Sequence, residues 1–142
     1  MRMRQWRAIV VAACVCGGAA MRPAVGAAQD SAADRSVVDG VFTAGQATAG
    51  REVFRRACAS CHQLGDLAGP KFAFRWEKTT VGDLFTLISD TMPDGAPGTL
   101  EPREYAGILA MFLKESGYKE GDTELPTDVE ALRKIKIEPL PQ

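Results

Sequence analysis

Cys58-Ala59-Ser60-Cys61-His62 constrains this chain more than any other stretch, because it sets two thiols three residues apart and follows them at once with the only histidine. Residues i and i+3 of a helical turn share a face. Both sulfurs can therefore reach the two vinyl groups of one porphyrin, while His62 projects from the same turn toward its iron. C-x-x-C-H is the attachment signal of a c-type haem. Two other chemistries begin in a similar way. A thioredoxin-like redox pair should follow a strand and open a helix, whereas the residues upstream of Cys58 read as helix. A zinc site needs four ligands, and beyond these three the only other cysteines, Cys14 and Cys16, lie in a segment expected to be removed.

That segment is the N-terminus. Arg2, Arg4 and Arg7 form a basic start, Ala8 to Ala20 is an apolar run too short to span a bilayer comfortably, and Gly26-Ala27-Ala28 offers a small-residue cleavage site. Residues 1–28 are expected to be a secretory signal peptide, with the mature chain in the periplasm and no transmembrane span. Val11-Ala12-Ala13-Cys14 also resembles a lipid-attachment signal that would anchor the chain through Cys14, but the apolar run before Cys14 is short for one. Export agrees with the motif, since such haem is attached outside the bacterial cytoplasm.

Cleavage removes four arginines, so the 17 basic residues fall to 13 against 18 acidic ones, a formal −5. Such a balance gives no general attraction for nucleic acid or anionic lipid. Arg51, Arg55, Arg56, Lys71, Arg75 and Lys78 nevertheless gather around the motif. Most of them read as a solvated surface that also neutralises haem propionates, with Arg75 the candidate propionate partner. A rim facing an acidic partner is the other reading.

The length suits one small domain with processing segments. Residues 29–42, rich in Ala, Asp and Ser toward their start, read as a flexible lead-in. Thr43-Ala44-Gly45-Gln46 is a capping-box pattern that should open a helix over about Ala44 to Ala57, with Ala47, Gly50 and Phe54 on its core face. After His62 helical periodicity is lost. Gly65, Gly69 and Pro70 make a loop, in which the Pro70 carbonyl is the candidate acceptor for the second ring nitrogen of His62. Phe72, Phe74 and Trp76 are expected to wall the haem edge from water. Thr80-Val81-Gly82-Asp83 is a second capping box, opening a helix with Leu84, Leu87 and Ile88 on one face. Met92 then stands alone as the large apolar residue at the start of the loop Met92 to Gly98. A last helix begins near Pro102 and carries Tyr105, Ile108, Leu109, Phe112 and Leu113 as a stripe, with Gly117 at its end. Residues 119–142 are expected to lie over the surface of a domain spanning 43–118, with a short helix opened by Thr127-Asp128-Val129-Glu130 and a loose Ile135/Ile137 alternation.

In that order, Gly50 and Phe54, the C-x-x-C-H motif, Gly69-Pro70, Met92-Pro93 and the final helix with Tyr105 resemble the class I c-type cytochromes over roughly Val41 to Tyr118. Within that family, the run from Gly69-Pro70-x-Phe72 to Trp76, with Val81-Gly82-Asp83-Leu84-Phe85 and Thr91-Met92-Pro93, is similar to cytochromes associated with quinoprotein (PQQ-dependent) alcohol dehydrogenases. The resemblance implies an all-α cytochrome c fold in which three main helices wrap one covalent haem c. It further implies a one-electron carrier rather than an enzyme, with redox-protein partners: a dehydrogenase as donor and an oxidase or another cytochrome as acceptor. A haem enzyme or gas-binding sensor with an open sixth position is the alternative. A domain of this size buries too little surface to be robust by itself, so the haem-free chain is expected to be unfolded or molten.

With one histidine, two-histidine ligation within the chain is impossible. The remaining candidates for the sixth ligand are Met92 and Met111. A helical wheel sets Met111 on the side of Glu104, Lys114 and Glu115, away from the apolar stripe. Met92, in a loop that Pro93 and the glycines can shape, is the expected partner of His62 on the iron.

Overall fold

The computed structural model describes residues 34–141, so the expected signal peptide and Cys14 lie outside the described residues. Thr43 starts the first helix as its pattern predicts: its hydroxyl oxygen accepts from the Gln46 N–H at 3.1 Å, satisfying one of the donors that every helix start leaves free. The helix, α1, runs Ala44–Ala57. The other half of the box does not form. The Gln46 side-chain amide turns away and grips the backbone of Leu125, donating to its carbonyl at 3.0 Å and accepting from its N–H at 2.8 Å, both bonds buried.

Two short helices follow the motif, α2 (Leu64–Leu67) and α3 (Phe72–Trp76), where only a loop is expected from sequence. Then come α4 (Val81–Thr91) and α5 (Pro102–Glu115). The Thr80/Asp83 box forms in full, at 3.1 and 3.0 Å. Proline at the first turn of α5 and a left-handed Gly117 after it bound that helix as expected. No helix among the described residues is long and apolar enough to cross a membrane.

The frame of the fold is the crossing of α1 and α5. A side chain on Gly50 would meet the carbonyl of Gly107 at less than 3.0 Å, so the two backbones touch there. Beside the crossing, Phe54 stands edge-on to Phe112 with ring centroids 6.1 Å apart. Arg51 pairs with Glu115 and Arg56 with Glu104 across the same interface. These exposed pairs add little stability, but they show two of the clustered basic residues engaged with the protein's own carboxylates.

Three expectations are corrected. Met111 does not face solvent: it is 1% exposed, and every residue of α5 from Tyr105 to Leu113 is buried. The wheel assumes one dry face, whereas this helix is enclosed all round. Neither is the C-terminal segment a surface layer, because Leu125, Leu132, Ile135 and Ile137 are core residues at 0–3% exposure. It forms α6 (Val129–Arg133), capped by Asp128 rather than Thr127, and β2 (Ile135–Lys136). The part of the lead-in that is described is not flexible either. Arg35–Ser36 form β1, paired in parallel with β2 in the register Arg35 with Ile135 and Ser36 with Lys136, and Val37, Val41 and Phe42 are wholly buried. The segments on either side of the expected domain thus meet and complete one core with it.

The same extension braces α4. Gly82 lies so close to Val129 and Arg133 that it has no room for a side chain, and the Ile137 N–H donates to the Thr79 carbonyl at 3.0 Å. What this bracing positions is the far end of α4, where Met92 sits.

Candidate functional site

Helix α1 ends at Ala57 and passes directly into the motif. The N–H groups of Cys58 and Ala59 both donate to the Phe54 carbonyl, at 2.9 and 3.0 Å. Those of Cys61 and His62 donate to the Cys58 carbonyl, at 3.1 and 2.9 Å. This tight turn brings both thiols and the imidazole to one cavity of about 300 Å³. Cys58 is half-buried and Cys61 exposed, and neither is paired in a disulfide. Burial pushes the Cys58 thiol up from its ordinary value, against a smaller opposing pull from Arg56.

The rest of the cavity is largely apolar. Phe54 and Phe112 come from the helix crossing, Ile108 from α5, and Leu84, Leu87 and Ile88 from α4. The α4 stripe read from sequence is therefore the cavity wall, which explains why Leu87 is 46% exposed although it lies on the apolar face. Met92 follows the last residue of α4. Its N–H is bonded to the Ile88 carbonyl at 2.9 Å, and its side chain lines the same cavity as His62.

Among the site residues expected from sequence, Cys58, Cys61, His62, Arg75, Trp76 and Met92 all line this cavity. The Arg75 guanidinium also donates to the Asp66 carbonyl at 2.8 Å. Pro70 and Phe72 are placed elsewhere. Pro70 borders a separate depression with Phe74, Tyr118 and Leu140, and no hydrogen bond joins it to the His62 ring. Phe72 is buried against Phe112 and Tyr118, with centroids 6.5 and 6.4 Å away. Phe74, grouped with them from sequence, is 81% exposed. On a helical turn residues i and i+2 do not share a face, so α3 sends these neighbours in different directions.

One participant went unread in the sequence. The Tyr105 hydroxyl donates to the Met92 carbonyl at 2.8 Å. The available signal was a tyrosine in a buried stripe, whose hydroxyl must find a partner.

The donor set fits a haem: two thiols and an imidazole presented together, a thioether on the same cavity and apolar walls between them. Among the described residues no group of three or more His, Cys, Asp and Glu side chains is placed to hold a metal ion by itself. Residues 45–110 match the family model described as cytochrome C oxidase, cbb3-type, subunit III. Neither the curated proteins nor the solved structures provide a match to the chain. The matched span runs from the first turn of α1 through the motif and Met92 into α5, and it includes Cys58 and Cys61. The match supports a c-type cytochrome; the mainly helical chain has the all-α cytochrome c fold, and the matched domain implies covalently bound haem c.

Proposed function

We propose that this domain is a periplasmic one-electron carrier in which His62 and Met92 are the axial ligands of the haem iron. The observation that carries the reading is the placement of both thiols, the imidazole and the Met92 thioether around one cavity. The haem supplies one-electron exchange, and no substrate bond is made or broken. Cys58 and Cys61 hold it by thioether bonds, so that it cannot dissociate. The apolar walls keep water from the iron, and neutral His/Met ligation raises the reduction potential. Arg75 at the cavity is the group to pair with a propionate. Export by residues 1–28 belongs to the same reading, since attachment of the haem requires passage out of the cytoplasm.

The ligand assignment has a direct test. Met92→Ala should abolish the weak far-red sulfur-to-iron charge-transfer band of the oxidised protein, lower its potential and let carbon monoxide bind the reduced form, while Met111→Ala changes none of these. A Met92 variant that keeps the band and stays closed to carbon monoxide overturns the assignment. Ready binding of carbon monoxide by the unmodified protein would instead favour a haem enzyme or gas sensor.

The partners follow as classes. The name of the matched model, an oxidase subunit, supports a terminal oxidase on the accepting side. On the donating side, the resemblance of the segments around Trp76, Val81 to Phe85 and Met92 to cytochromes associated with quinoprotein dehydrogenases is the ground for proposing such an enzyme. Stopped-flow mixing with a reduced enzyme of that class should reduce the haem. Failure to do so removes that donor.

A further inference from the structure

The Met92 backbone is held at both of its polar groups. Its N–H is bonded within α4, and its carbonyl accepts from Tyr105 on α5. Tyr105 is itself fixed: it is 3% exposed, and its ring stands edge-on to Phe85 with centroids 5.8 Å apart. The loop that follows has much less to hold it. Residues 94–99 are exposed, and Gly95 and Gly98 take left-handed backbone conformations. At its base, therefore, Tyr105 ties this loop to the buried helix α5.

We propose that Tyr105 is a positioning residue for the sixth ligand: its hydroxyl pins the Met92 carbonyl and so keeps the thioether aimed into the cavity against competing ligands. The proposal rests on the reading of Met92 as an axial ligand. Displacing the thioether requires the base of the loop to swing outward, which breaks this bond. Loss of one such partly buried hydrogen bond shifts the balance toward the displaced form about five- to tenfold.

Tyr105→Phe retains the ring and its packing on Phe85 and removes only the donor. The measurement is imidazole titration of the oxidised haem-loaded protein, followed by the far-red sulfur-to-iron band and by the thermal midpoint. Tyr105→Phe should bind imidazole about five- to tenfold more tightly than the unmodified protein. Val37→Ala, a core truncation that touches neither Tyr105 nor Met92, should lower the thermal midpoint and leave imidazole affinity unchanged. Unchanged affinity in Tyr105→Phe, or an equal gain in Val37→Ala, overturns the positioning role. Absence of the band in the unmodified protein overturns the ligand assignment and this inference together. A band present with no effect of Tyr105→Phe overturns this inference alone.

Discussion

Gly50→Ala should destabilise the haem-loaded protein by about 3 kcal/mol or more, a large part of the roughly 5–15 kcal/mol that holds such a domain together. The added methyl group meets backbone, the carbonyl of Gly107 and the N–H of Ile108, and backbone cannot rotate away as a side chain can. The two helices must part, and every contact along the crossing, including the Phe54/Phe112 pair, is loosened. The reciprocal change is a control built into the same contact. A side chain on Gly107 would lie 3.2 Å from the Gly50 Cα and 3.5 Å from the Gln46 carbonyl oxygen, close enough to press and far enough to be relieved by a small shift. Guanidinium unfolding of both variants at unchanged m-value should show Gly107→Ala far milder than Gly50→Ala. Equal and small losses would mean that the helices do not cross where described.

Removing the haem should do comparable damage by another route. Cys58→Ala combined with Cys61→Ala, produced with the haem-attachment machinery present, leaves the apolar cavity with nothing to fill it. At about 24 cal/mol per Å³, a void of about 300 Å³ costs about 7 kcal/mol. That is an upper bound, because water can enter at the exposed Cys61. A loss of this size exceeds the stability of many small domains. The Gly50/Gly107 contact of α1 with α5 and the buried C-terminal residues Leu125, Leu132, Ile135 and Ile137, however, do not line the cavity. The haem-free chain should therefore keep much of its far-ultraviolet helix signal while losing near-ultraviolet signal and a cooperative thermal transition, the behaviour of a molten state. A sharp, cooperative unfolding transition in that variant would show that the cavity walls stand unaided.

The features legible in the sequence were those whose causes are local. Thr80 and Asp83 cap α4 because the two partners lie three residues apart. Pro102 and Gly117 bound α5 through their own backbone restrictions. The haem motif was legible for the same reason, its chemistry being contained in five consecutive residues. What was misread depends on partners distant in sequence. A helical wheel sets Met111 off the apolar stripe because it knows nothing of the other segments that enclose the helix. Ile135 and Ile137 read as a loose alternation because their partners are distant: Ile135 pairs with Arg35 at the opposite end of the described chain, and the Ile137 N–H donates to the Thr79 carbonyl. Gln46 had a plausible local partner at the N-terminus of its helix, yet it satisfies a buried backbone instead. A free N–H at an exposed helix start can bond to water, whereas the buried polar groups of Leu125 cannot. Pro70 and Phe72 are near the site in sequence but do not line its cavity: Pro70, ahead of α3, borders a separate depression, and Phe72, the first residue of α3, packs on Phe112 and Tyr118.

The grip of Gln46 on Leu125 spans 79 residues, and β1 reaches β2 across a longer stretch still. Contacts of such separation form late, because the chain between them must first be drawn into a loop. A growing chain presents Cys58 and Cys61 well before Leu125 and β2 exist to close that loop. The topology thus imposes an order of events on biosynthesis: the thiols are available while the clasp is still open, and the clasp shuts only when the last segment arrives.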